Sequence, residues 1–167
     1  MIKKMLLLGW LCLAMLAASN HCLAKSEVPL LENVEIIPFA EEVNRQKPRL
    51  LLENIEYKVF KDSTIYKCFL SDKHSMLNFS IRGNNIMNIT LIAPINNYKP
   101  AFETLALVLK NTGVTKTGLQ HLHDSLVESY NGDKEVVFDR TDKEFQIQAF
   151  QMSDNGMFVG IKCFSLE

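Results

Sequence analysis

The sequence predicts an α+β domain: a mostly antiparallel sheet of about six to seven strands, a two-helix hairpin packed on one face, and a short N-terminal helix. Three observations predict it. Apolar and polar residues alternate with a period of two between residues 55 and 91, and strand-type segments return after residue 135. Between residues 100 and 130 the apolar residues recur instead at helical spacing. Because that helical block is gathered in the middle of the chain, the helices segregate to one side of an antiparallel sheet.

The chain opens with Lys3 and Lys4, an apolar run from Met5 to Leu16, and small residues. This is the three-part layout of a secretory leader, and the run is short for a membrane span. Cleavage after Ser19 or after Ala24 fits the pattern, and the second leaves Cys68 and Cys163 as the cysteines of the exported chain. The expected organisation is therefore a signal peptide over 1–24 and a single α+β domain over 25–167, with no integral span after cleavage. The residues before Cys12 and Cys22 are not the small ones that lipid attachment requires. Export places the chain in the periplasm. The short leader and few cysteines favour a bacterial source, in which the glycan-acceptor patterns at Asn78 and Asn88 carry no meaning.

Residues 25–33 read as an extended lead-in. Pro38 opens a short helix in which Phe39 and Val43 lie one turn apart, and Pro48 ends it. Ile55, Tyr57 and Val59 alternate with Glu56 and Lys58, the mark of a half-buried strand. Lys61-Asp62-Ser63 makes a turn, and Thr64 to Leu70 is the next strand. Leu77, Phe79 and Ile81 then oppose Asn78, Ser80 and Arg82. Gly83-Asn84-Asn85 tolerates the positive φ a hairpin needs, and Met87, Ile89 and Leu91 continue the apolar face.

Pro100 suits a first helical turn, followed by the stripe Phe102, Leu105, Ala106, Leu109. Gly113 stands where a left-handed C-cap is needed. Thr117 with Gln120 has capping-box spacing for a second helix, whose stripe is Leu119, Leu122, Leu126 and Tyr130, closed by Gly132. Residues 135–140, 143–152 and 157–164 read as three more strands.

An even pair of cysteines in an oxidising compartment predicts a disulfide between Cys68 and Cys163, worth about 4–5 kcal/mol in the chain-entropy model for so long a loop. The absence of Cys-X-X-Cys spacing argues against a redox role.

Charge and motifs narrow the function. A net charge of −1 gives no electrostatic case for nucleic acid. His121 and His123 are two residues apart on a helix and point in divergent directions, so they do not chelate one ion. There is no nucleophile elbow and no glycine-rich phosphate loop, and Glu41, Glu42, Asp139, Asp142 and Glu144 fall in solvated stretches. No catalytic, metal or cofactor-binding residue is assigned, and no cofactor is expected. The aromatic residues Tyr57, Tyr66, Phe60, Phe69 and Phe150 exceed what one sheet face buries, and form the candidate interaction surface. The bland alternative is that Val34 to Leu52 packs over the second sheet face.

Two stretches, PFAEEVNRQKPRLLLENIEYK (Pro38 to Lys58) and MNITLIAPI through VTKTGLQHLHDSL (Met87 to Leu126), resemble the YiiQ-type family of uncharacterised periplasmic proteins of enteric bacteria. The resemblance implies a periplasmic domain and assigns no activity and no functional residue. It does not require the cysteine pair, which is a departure from it.

The expected function is a non-enzymatic binding or inhibitor module that contacts another envelope or secreted protein. A toxin-immunity protein is one concrete form. The alternatives are an envelope hydrolase assembled from distant strands, with His121 or His123 and Asp139, and a carrier of a small ligand or lipid in a cavity between helices and sheet.

Overall fold

The computed structural model describes residues 27–120, 124, 136–138, 145–151 and 158–166, with side chains over 27–120, at 124 and over 158–165. The elements are β1 (Glu27–Val28), α1 (Ile36–Arg45), β2 (Leu52–Val59), β3 (Thr64–Leu70), β4 (Met76–Arg82), β5 (Asn85–Pro94), a 3₁₀ turn (Ile95–Asn97), α2 (Tyr98–Asn111), β6 (Val136–Phe138), β7 (Phe145–Gln151) and β8 (Phe158–Leu166). All strand pairings are antiparallel, in the order β2-β3-β4-β5-β8-β7-β6, with β1 joined to β8 where β5 ends. The α+β class and the antiparallel sheet are as the sequence predicts. The leader and most of the second helix of the hairpin lie outside the described residues.

Period-two alternation places the core. Across the strands, Tyr57, Tyr66, Phe79, Ile89 and Cys163 stand in one register row, and Cys68, Leu77, Leu91 and Ile161 in another. Both rows face the helices, and from Phe79, Cys68 and Leu77 onward their residues are buried. Two bulges interrupt the alternation. One, at Ser80/Ile81, slips Met87 out of pairing, so Ile86 rather than Met87 stands opposite Ile81 in the core row. The other, at Glu53/Ile55, leaves Asn54 unpaired at φ 46. Gly83 at φ 59 makes the β4–β5 turn.

Helix α1 contributes Ile36, Ala40 and Val43 to the same core as Ala101, Leu105, Val108 and Leu109 of α2, and Phe39 meets Phe79 edge to face at 6.1 Å. The segment Val34 to Leu52 therefore shares the helix-bearing face and does not cover the second one. The join between the helices and β2 is polar. Asn44 donates to the Leu52 carbonyl and accepts from its N–H, both at 2.8 Å, in place of a neighbouring strand. Buried Thr104 donates to the Leu50 carbonyl at 2.9 Å and accepts from the Leu50 N–H at 3.3 Å. The lead-in also pairs: Leu30 donates to Ile86, and Ile86 to Leu31.

Helix α2 begins two residues before Pro100, and its buried side is turned toward Ala101, Thr104 and Val108, with Phe102 and Ala106 half-buried. Gly113 has φ 84, the left-handed C-terminal position expected of it. Helical backbone resumes at 116, and the cap is Thr115 rather than Thr117: its hydroxyl accepts from Gly118 at 3.1 Å.

The Cys68–Cys163 link is not made. Both are free, buried thiols. Cys68 is on β3 and Cys163 on β8, with β4 and β5 between them. Three inter-strand spacings amount to about 14 Å, against a Cα separation of about 7 Å at most for a disulfide. No helix among the described residues is long and apolar enough to cross a membrane.

Candidate functional site: the open sheet face

The strands that bury Phe79 and Ile89 beneath the helices turn every other residue to the opposite face. Across that face Phe69, Met76, Ile92 and Gly160 form one register row, Lys67, Asn78, Thr90 and Lys162 the next, and Ile65, Ser80, Asn88 and Phe164 a third. A polar row thus runs between two rows with apolar members. Most of these side chains are half-buried, although no described helix lies over them.

Two features are built into the face. Lys162 reaches Glu27 of β1 at 2.9 Å and stands 4.7 Å above the centroid of the Phe164 ring. This partly buried cation is thereby held flat against the sheet instead of extending into solvent. Asn78 lies two positions along the same row, with Thr90 between, and its side-chain carbonyl oxygen is buried with no hydrogen-bond partner among the described residues. An acceptor left in that state costs free energy that a donor from outside the chain would relieve. The face offers a fixed cation, an unused acceptor and flanking apolar surface, which is recognition chemistry. Among the described residues, no three His, Cys, Asp or Glu are grouped to hold a metal ion.

The five aromatic residues picked from sequence do not form one patch. Tyr57 and Tyr66 come together, ring centroids 5.7 Å apart, on the helix-bearing face, where Tyr66 packs half-buried against the core and Tyr57 is exposed. Phe60 follows in the β2–β3 turn, with the Lys58 ammonium 5.4 Å from its ring centroid. Phe69 is on the open face, opposite Met76. Phe150 is on β7 in register with Gly160, and its side chain lies outside the described residues. Among the described side chains the exposed members are Tyr57 and Phe60, at 68% and 45%, joined by Val59 at 66%. His121, His123 and Asp139 lie outside the described residues.

Asn78, Thr90 and Lys162 carry no motif beyond the glycan-acceptor patterns that include Asn78 and Thr90. Their signal was the polar phase of the strand alternation, which identifies the face but not which residue on it lacks a partner. Searches against protein-family models, curated proteins and solved structures find no match for this chain.

Proposed function

We propose that this chain is an exported periplasmic binding module that acts by contact with another envelope or secreted protein through the open sheet face, as a toxin-immunity protein would. The observation that carries this reading is the buried Asn78 carbonyl, without a partner among the described residues, in one row with the pinned Lys162 across Thr90, on a face that no described element covers. A monomeric domain would ordinarily fill such a face with solvated charge or cover it. The leader-like start of the sequence and the resemblance to the YiiQ-type family support the location.

Site-specific photocrosslinkers in cells of the source organism test the reading. A probe at Thr90 is expected to capture a discrete envelope or secreted partner, and the same probe at Lys110, exposed on α2, is expected not to. Capture at neither position, or equally at both, overturns the assignment.

A further inference from the structure

We infer that β2 is an edge at which a second copy of this chain adds antiparallel about a two-fold axis at Tyr57, joining two sheets into one. The inference uses the edge of the sheet and stands apart from the reading of its open face.

Among the described residues β2 ends the strand order, so one side of it has no neighbouring strand. Which backbone groups face that side follows from the turn. Phe60 donates its N–H to Ser63 of the β2–β3 connection at 2.7 Å, so Phe60 faces β3. Residues of an antiparallel ladder alternate in the side to which they direct both backbone groups. Lys58 and Glu56 therefore also face β3, while Val59, Tyr57 and Ile55 present N–H and C=O outward. At the other end of the strand, Asn44 already occupies the outward groups of Leu52, and the bulge at Asn54 breaks the ladder. The available edge is thus the five residues Ile55 to Val59.

That segment is self-complementary. With Tyr57 opposite its own copy, Ile55 stands opposite Val59, and Glu56 opposite Lys58, on both sides of the axis. Tyr57, Ile55 and Val59 are the residues with outward backbone groups, so the pairing makes about six inter-chain hydrogen bonds. The same step places the most exposed apolar side chains, Tyr57 and Val59, against apolar partners. Edge strands ordinarily use charges to repel additional strands. Here the two charges alternate so that a second copy in this register neutralises both, whereas a shift by two residues sets Lys58 against Lys58 or Glu56 against Glu56. An isologous contact of this size lies at the small end of specific interfaces, so the dimer is concentration-dependent.

Sedimentation of the purified exported chain over a wide concentration range tests the inference. The wild type is expected to show a reversible monomer–dimer equilibrium. Lys58→Glu changes a residue that faces Ile65 in its own sheet and sets four carboxylates around the axis. Glu56→Lys sets four ammonium groups there. Each is expected to weaken self-association by about tenfold or more. Mixing the two variants restores Glu–Lys opposition at both positions, and a heterodimer is expected at near wild-type strength. Circular dichroism establishes that both remain folded, and should Glu56→Lys unfold beside Lys67, Lys58→Glu alone still decides. A wild type that stays monomeric to about millimolar concentration, a dimer indifferent to Lys58→Glu, or two folded variants that do not associate when mixed would overturn the inference.

Discussion

Cys68 and Cys163 show what burial does to a reactive group. Burial pushes the Cys68 thiol up to about 12, and raises Cys163 as well. Both stay protonated in the folded chain at pH values where an unfolded thiol ionises, above about 8.5. The unfolded state then binds fewer protons, so each thiol lowers stability by roughly 1.4 kcal/mol per pH unit above that point, and for Cys68 up to its folded value. Denaturant melts between pH 9 and 10.5 should fall at up to about twice this slope, the two thiols together, and about half as steeply for Cys68→Ala after allowing for its own cavity. Native alkylation at pH 8 should label neither thiol, and reduction should leave the mass unchanged. Asp72 has the opposite sign. Partial burial pulls its pKa upward, but bonds from the Ser75 hydroxyl and from the Ser75 and His74 N–H groups, with the nearby His74 charge, outweigh this and lower it. Its contribution is present above the ordinary carboxylate pKa and is lost as pH falls through the lowered value. Asp72→Ala should therefore cost about 1 kcal/mol at pH 7 and much less near pH 2, read by urea melts at both. Neither group was legible in the sequence as more than a cysteine count and a polar turn, because burial and turn hydrogen bonds depend on the packed fold.

At the scale of the element, apolar periodicity located α1, α2 and the strands from β2 to β5 to within a few residues, and it failed where a polar group does apolar duty. Thr104 is fully buried in α2, yet no hydrophobic pattern includes it, which is why the predicted stripe holds half-buried Phe102 and Ala106 beside the buried Leu105 and Leu109 and omits Thr104. Its hydroxyl satisfies both backbone groups of Leu50, and Asn44 does the same for Leu52. These two side chains replace the strand that β2 lacks at this end. Thr104→Val keeps the shape but orphans the Leu50 N–H and carbonyl, and should cost about 1–3 kcal/mol in chemical denaturation. Asn44→Ala should cost a similar amount and raise amide hydrogen exchange at Leu52 in particular. The capping box at Thr117 failed for a related reason. Thr115 lies two residues earlier, directly after the Gly113 turn, and both threonines suit a cap by composition.

For the molecule as a whole, the polarity of the two sheet faces was legible and the order of the strands was not. Alternation sorts Phe79 from Asn78 within a strand, but nothing in it records that β8 lies beside β5. The predicted disulfide failed on that missing neighbour relation, since a cysteine count carries no distance. The same alternation yields a sharp test of the architecture. Ile89 and Ile92 are three residues apart on β5, both β-branched and apolar, yet Ile89 is fully buried beneath the helices and Ile92 is partly exposed on the open face. Ile89→Lys strands a charge among Phe79, Cys163 and their neighbours, and should destabilise by more than about 4 kcal/mol, enough to unfold a marginal domain. Ile92→Lys leaves the ammonium free to reach solvent, and should change the unfolding free energy by about 1 kcal/mol or less. If the open face is the contact surface, Ile92→Lys should also remove capture by the Thr90 probe while circular dichroism stays that of the wild type. Equal destabilisation by the two lysines would show that the open face is covered after all, and would remove the ground for placing recognition there.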